Sequence, residues 1–296
     1  MGQQSVEKST EDTPNVNAVP IGGWLEPPQP QDLLLTVLAD NVRHRCESVW
    51  SGGLVRLLGE LGFSIGASRV ALSRMARRTL ITPRKHGRVV RYELSDRLER
   101  LLAEGDAKIF DNREPKYLGT DLTVLLHTLP EEMRLERSRL GRSLRFRGFG
   151  TVQDGTWIAP GDREEEVLEL LTDLGITGYC SLVVGHLSRN PQLLSLVERA
   201  WDLPALNKRY EAFVHMFGAL DATAAETDDE AFLIRTQIMH NFRQFPSLDP
   251  GMGGPLFPVT PQREEAKAIF NRVYDGLREQ SQRHFDEITS LGKGVR

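Results

Sequence analysis

The sequence predicts a multidomain α+β protein of three successive units: helices closed by a hairpin, a sheet covered by two helices, and an all-helical C-terminal third. Three observations carry this. Apolar residues recur at helical spacing from Gln31 to about residue 80, then alternate with charged residues through Leu94. Between about Pro115 and Leu187, strand-like and helix-like patterns alternate. From Asn190 onward every periodic segment is helical.

Composition sets the frame for these units. A length of 296 residues allows two or three compact domains, and 40% apolar with 26% charged residues is ordinary for a soluble globular chain. Cys46 and Cys180 lie far apart without a CxxC pair, which argues against a disulfide framework and a cysteine-based zinc site and points to a reducing, cytoplasmic compartment. No run approaches the roughly 18 apolar residues of a membrane span, and the N-terminus lacks the basic-then-apolar layout of a signal peptide. Residues 1–29 are polar, proline-rich and aperiodic, and read as a disordered arm. The units are then 30–110, 111–189 and 190–296.

In the first unit, Leu34, Leu35, Val37, Leu38 and Val42 mark one helix. A second carries Leu54, Leu57, Leu58 and Leu61, with Ser51 as its expected cap and Gly62 as its stop. A third spans about 66 to 79. A 100-degree step puts Ala71, Leu72, Met75 and Thr79 on its inner side and Arg69, Val70, Ser73, Arg74 and Arg77 on the opposite arc. A strand "LITP", a four-residue turn "RKHG" and a strand "RVVRYEL" follow. Three helices and a hairpin is the winged helix-turn-helix order. Ser95 caps a further helix that leads out of the unit.

The second unit reads as a strand in "KYLGTDLTVLLHTLP", a basic amphipathic helix in "EEMRLERSRLGRSLRFRGFG", and a strand around a turn at Asp154-Gly155. A helix in "DREEEVLELLTDLG" and a strand in "GYCSLVVGHL" complete it. This βαββαβ-like order, with one strand poorly marked, suggests a ferredoxin-like sheet. In the third unit Pro261 stands where a first helical position belongs, and "PSLDPGMGGPLFPV" is a loop long enough to wall a pocket.

Charge supplies the functional signal. Between Leu61 and Tyr92 there is no Asp or Glu, although the whole chain has a net charge of -4. The same window holds Arg69, Arg74, Arg77, Arg78, Arg84, Lys85, Arg88 and Arg91. An outward arc of three guanidinium groups, the Ser73 hydroxyl and the small apolar Val70 suits a DNA major groove, which offers guanine acceptors, thymine methyls and flanking phosphates. Arg84, Lys85 and Arg88 would then lie beside a phosphate backbone or minor groove. A basic run is usually a solvated face; here it coincides with a helix-turn-helix-hairpin order, so double-stranded DNA is the expected partner.

The stretches "LVRLLGELGFSIGASRVALSRMARRTLI" and "GRVVRYELS" resemble the N-terminal domain of the PaaX-type repressors of phenylacetic acid degradation. "RSLRFRGFGTVQDGTWIAP" resembles that family's central Cas2-like domain, and "WDLPALNKRYEAF" with "HNFRQFPSLDP" its helical C-terminal domain, so the likeness covers roughly 31 to 280. The resemblance implies a homodimeric bacterial transcription repressor of an aromatic-compound degradation operon, released from its operator by an aryl-CoA thioester or related catabolite. Arg69, Ala71, Leu72, Ser73, Arg74 and Met75 match the family's recognition helix, and Gly87, Arg88 and Tyr92 its wing. Two departures stand out: "RRTLI" lies where a Gly and an aromatic are expected, and His127 where a strand-end Asp is common.

That second departure bears on the alternative reading, a Cas2-like metal-dependent nuclease with the winged helix as substrate clamp. Such an enzyme holds a divalent cation through a strand-end carboxylate, which His127 and Thr128 do not supply. No catalytic residue, metal site or cofactor is therefore expected. A third reading is a scaffold whose basic window binds an acidic protein. For the effector, His240 and Arg243 lie three apart on one helix face, with Asp249 in the following loop. Arg243 suits a phosphate or carboxylate and His240 a hydrogen bond; a structural Arg-Asp pair beside a core histidine is the competing reading. Trp157, Trp201, Tyr210 and Phe213 either line an aromatic pocket or belong to the core.

Overall fold

The computed structural model describes residues 23–110, 121–186, 188, 195–251 and 260–290. Its first elements are α1 (Pro30–Asn41), β1 (Val49–Trp50), α2 (Ser51–Glu60), α3 (Ile65–Arg77), β2 (Ile81–His86), β3 (Val89–Leu94) and α4 (Asp96–Ile109). The leucine periodicity of α1 and α2 closes over the inner face of α3, where Ala71, Leu72 and Met75 are buried. The Ser64 hydroxyl caps α3 by accepting from the Ala67 amide at 3.2 Å, and the Ser95 hydroxyl does the same for α4 through Leu98.

Several expectations need correction here. Trp50, not Ser51, is the residue before α2, because β1 runs directly into that helix and pairs antiparallel with β3. The hairpin turn has two residues, Gly87 and Arg88, with His86 opposite Val89 and Gly87 at φ 61, so Arg84 and Lys85 stand on a strand. The arm expected over 1–29 is tied down in its described part. The Leu25 amide donates to Asn241 Oδ1 at 2.8 Å, Asn241 Nδ2 donates to the Gly23 carbonyl at 3.1 Å, and Trp24 sits edge-on against His240.

Thr79 is also not an inward residue. It follows α3 at φ 55 and is exposed. The Leu80 amide reaches the Met75 carbonyl and the Thr79 amide reaches that of Ala76, the paired bonds of a Schellman stop. The same motif ends α2 on Gly62, whereas here a β-branched residue occupies the left-handed position at a cost of roughly 1–2 kcal/mol. Thr79→Gly is therefore expected to raise unfolding free energy by about 0.5–1 kcal/mol, net of the extra freedom glycine has in the unfolded chain. Urea melts would show it as a higher midpoint at unchanged slope.

The central unit contains β4 (Asp121–His127), α5 (Arg134–Phe146), β5 (Gly150–Gln153), β6 (Thr156–Pro160), α6 (Glu164–Asp173) and β7 (Cys180–His186). What read as one strand around Asp154-Gly155 is the hairpin β5–β6. The sheet order is β5-β6-β4-β7, antiparallel throughout. Alternation along the strands sends Leu125, Trp157 and Ala159 toward α5 and α6, and Leu122 and Ile158 to the opposite face. That second face is covered by α7 (Ser195–Ala200) and Trp201, whose indole donates to the Gly148 carbonyl at 3.2 Å. Residues 195 to 201 thus pack with the sheet, past the boundary expected at 189.

The remaining helices are α8 (Leu203–Phe217), α9 (Asp228–Phe242), α10 (Phe245–Leu248), α11 (Pro261–Gly276) and α12 (Arg278–Ser290). The single helix expected over 261–288 breaks at Leu277, and part of the glycine-proline loop forms α10; residues 252–259 of that loop lie outside the described residues. Phe213, Phe217, Phe242 and Phe270 fill the core between α8, α9 and α11. The first and last units share a second core, since Phe232 of α9 and Phe285 and Ile288 of α12 are buried among the leucines of α1 and α2. Gly53 is needed at that junction: a Cβ there would stand 3.0 Å from the Thr289 Cα.

Candidate nucleic-acid interface and sensor contact

On α3 the outer arc is free. Arg69, Val70, Ser73, Arg74, Arg77 and Arg78 are all exposed, and among the described residues none of these four arginines makes an ion pair. The inner arc is anchored, with Ala71, Leu72 and Met75 at 3% exposure or less, so the arginines project from a helix whose rotation is fixed.

The hairpin divides its basic residues differently. Arg84 and Arg91 are directly opposed across β2 and β3, a like-charge pairing that is unfavourable if uncompensated. Each is turned aside. Arg84 Nε pairs with Glu93 at 2.9 Å; Arg91 donates to the Ser48 hydroxyl at 2.9 Å and to its carbonyl at 2.6 Å, bracing β3 against the segment before β1. Lys85 and Arg88 at the tip are exposed. Of the ten positions expected at DNA, Arg91 thus has a bracing role within the fold that periodicity could not reveal.

The three expected effector residues separate into two places. His240 and Arg243 both reach α1, with His240 Nδ1 3.3 Å from Thr36 Oγ1 and Arg243 Nη1 donating to the same oxygen at 2.7 Å. Asp249 is engaged elsewhere: it accepts from the Tyr210 hydroxyl at 2.7 Å and the Gly251 amide at 2.8 Å, and ion-pairs with Arg263 at 2.8 Å. A structural Arg-Asp pair does hold the loop, but its arginine is Arg263, fourteen residues downstream and invisible to a local reading. Trp157, Trp201, Tyr210 and Phe213 are all buried and fall in three different clusters, so they do not line one pocket.

Burial of the α1 contact perturbs its ionisable groups. It holds His240 down to about 4, with Arg243 adding to the effect, and pushes Asp40 up to about 6 against the pull of Arg235. A lowered histidine pKa means that the unfolded chain takes up a proton the folded chain refuses, so this share of stability is present above 6.5 and lost as pH falls toward 4. Asp40 works in the opposite sense, favouring the folded state as pH falls below about 6. His240→Gln should therefore be less stable than the parent at neutral pH, through lost packing on Trp24. Its deficit should shrink on acidification by up to about 1.4 kcal/mol per pH unit. Urea melts at pH 7.5 and pH 5 would check this, and a constant deficit would contradict it.

His127 ends β4, half-buried; burial lowers its pKa, and among the described residues its Nδ1 has no hydrogen-bond partner. Among the described residues no three His, Cys, Asp or Glu side chains cluster as metal ligands, and no helix is long and apolar enough to cross a membrane.

Comparison with known proteins places this geometry. No curated protein matches the chain. A solved structure of an uncharacterized protein, Rv0674, from Mycobacterium tuberculosis aligns with 88% of this chain and 98% of its own, at 18% identity and a TM-score of 0.51, a likeness of fold. Three family models match in order: PaaX-like protein over residues 29–98, the PaaX central Cas2-like domain over 123–197, and the PaaX-like C-terminal domain over 201–287. With its N-terminal helical unit, its sheet and its helical third each matched in turn, the chain belongs to the PaaX family of transcription regulators.

Proposed function

We propose that the chain is a cytoplasmic, homodimeric, ligand-responsive repressor of an aromatic-compound degradation operon, without enzymatic activity. In this reading α1 to α3 with the β2–β3 hairpin act as a winged helix-turn-helix, α3 enters the major groove, and the hairpin tip lies against the backbone. The central sheet, in the strand order of a ferredoxin-like fold, links the reader to a helical sensor. The observation that carries the proposal is the outer arc of α3, where exposed Arg69, Arg74 and Arg77 have no carboxylate partner among the described residues on a helix otherwise locked into the core. Family membership supports the regulatory role.

The effector would be an aryl-CoA thioester or a related aromatic catabolite. Arg243 supports an acidic ligand: among the described residues its guanidinium donates to the neutral Thr36 hydroxyl, while Asp40, Asp32 and Asp106 act on it only through space, so an incoming phosphate or carboxylate would share it with those three carboxylates. With His240 beside it, such a ligand would act on α1, the first helix of the reader, while Asp249 with Arg263 would shape the loop. The ligand can shift operator occupancy only by its differential affinity for the two arrangements of the readers.

Fluorescence anisotropy tests this with the DNA upstream of the gene and a scrambled control, at two salt concentrations, followed by challenge with phenylacetyl-CoA and related thioesters. Selective binding that weakens with salt and is reversed by one thioester is expected. Equal affinity for both DNAs, with no response to any thioester, would refute it.

A further inference from the structure

The segment ahead of α1 is held by side chains that the proposed DNA contact does not use. Residues 23–29 form no helix or strand, yet they are fastened to α8 and α9. Asn241 of α9 is fully buried, and both ends of its amide meet this segment: Oδ1 accepts from the Leu25 amide at 2.8 Å and Nδ2 donates to the Gly23 carbonyl at 3.1 Å. Nδ2 has a second acceptor within α9, the Gln237 carbonyl, whereas among the described residues the Leu25 amide is the one donor to Oδ1. A buried amide oxygen without a donor is costly, so the presence of Asn241 inside this helix is explained by an occupant on the surface above it. The neighbouring contacts have the same sense. Trp24 stands edge-on against His240 with ring centroids 5.4 Å apart and packs on the leucine core of α1 and α2, Leu25 packs on the phenylalanine core of α8, α9 and α11, and Glu26 ion-pairs with Arg209. Together these groups read an aromatic ring, a backbone amide and a carboxylate.

The segment is bound weakly enough to leave. Trp24 and Leu25 are half-buried and Glu26 is exposed. Two hydrogen bonds and two half-buried side chains are set against the entropy of fixing the backbone of Gly23–Glu26, and these opposing terms are of similar size. Departure of Trp24 would uncover the edge of His240, whose Nδ1 meets Thr36 beside Arg243. It would also act on α1 directly. Pro27, Pro28 and Pro30 restrict the connection to extended backbone, and Pro30 is the first residue of that helix.

We propose that Gly23–Glu26 is a tethered self-ligand, seated in a site on α8 and α9 that also takes, from solution, an acid carrying an aryl group and a secondary amide. Two sources share that chemistry: a peptide like the segment itself, and an arylacyl thioester of coenzyme A, whose pantetheine arm carries amides and whose phosphates are acidic. The thioester source rests on the effector reading above; the self-ligand does not. The first probe is a fluorescein-labelled peptide, Gly-Gly-Trp-Leu-Glu-Pro-Pro, with the sequence of residues 22–28, added to the full chain and read by anisotropy. The tethered segment competes at an effective concentration of about millimolar, so Trp24→Ala, which weakens the competitor, should bind the peptide at least about 10-fold more tightly than the parent. Methylating the peptide at its leucine nitrogen removes the donor to Asn241 without altering the protein, and should cost at least about 10-fold in affinity. Unlabelled phenylacetyl-CoA or a related arylacyl thioester should displace the peptide from Trp24→Ala. Equal binding of the peptide to the parent and to Trp24→Ala, or indifference to the methyl group, would overturn the proposal. A peptide that binds as expected and is displaced by no thioester would leave the self-ligand standing, with a peptide as the occupant from solution, and would remove the effector reading from this site alone.

Discussion

Replacing Arg69, Arg74 and Arg77 together with alanine is expected to weaken binding to upstream DNA at least about 100-fold while leaving the urea midpoint within experimental error. The two halves of this expectation have separate causes. All three side chains are exposed and have no carboxylate partner among the described residues, so their loss breaks no ion pair there, and alanine is a better helix former than arginine. On DNA, a guanidinium that pairs with guanine supplies about 1–3 kcal/mol of discrimination, and one that meets a phosphate steepens the salt dependence by about 0.9 in log-log slope. Single replacements then sort the roles: uniform loss across sequences marks a phosphate contact, and relaxed selectivity a base contact. Arg91→Ala is the internal control. Its side chain is spent on Ser48, so stability should fall by about 1–2 kcal/mol and DNA affinity only as far as the hairpin loosens.

The outer arc of α3 was legible because two independent signals agree there: a 100-degree step that assigns faces, and a window without acids. Neither signal carries tertiary information. Arg84 and Arg91 belong to the same acid-free window, yet strand register, with Glu93 just outside it, decides their pairing. The left-handed Thr79 escaped a reading that assumes continued helix to that point. β1 escaped because two residues show no alternation. The shared core was out of reach for a different reason. Periodicity shows that α2 and α12 each have an apolar face, but nothing local states that Leu54 and Phe285 meet across more than two hundred residues. The same limit paired Asp249 with the near Arg243 when the fold pairs it with Arg263.

Arg235→Met should lower stability by about 3–5 kcal/mol, a larger effect than its single hydrogen bond would suggest. Arg235 of α9 and Asp40 of α1 are 3.6 Å apart, with side chains at 5% and 7% exposure. The Arg235 Nε donates to the Tyr274 carbonyl at 3.1 Å and its guanidinium lies 3.9 Å from the Tyr274 ring centroid, while the Tyr274 hydroxyl donates to Asp40 at 3.1 Å. Removing this cation leaves a carboxylate already pushed up to about 6 by burial with only the weaker pull of Arg243 to offset it. Asp40 in the variant should then hold its proton to higher pH, and by the sign of a raised carboxyl pKa the deficit should shrink as pH is lowered toward 5. Adding Asp40→Asn removes the stranded charge and keeps an acceptor for Tyr274, so the double variant should recover more than half of the loss. The position of this pair decides what else the measurement reads. It joins the first helix of the N-terminal unit to two helices of the C-terminal unit, beside a core in which Phe232 and Phe285 of the latter are buried with the leucines of the former. If the N-terminal and C-terminal units are one cooperative unit, the parent and both variants each melt in a single transition by far-ultraviolet circular dichroism and tryptophan fluorescence. Two separated transitions in Arg235→Met would instead show that the N-terminal unit keeps its own stability once the pair is broken, and that the proposed effector would have to reach α3 by another route.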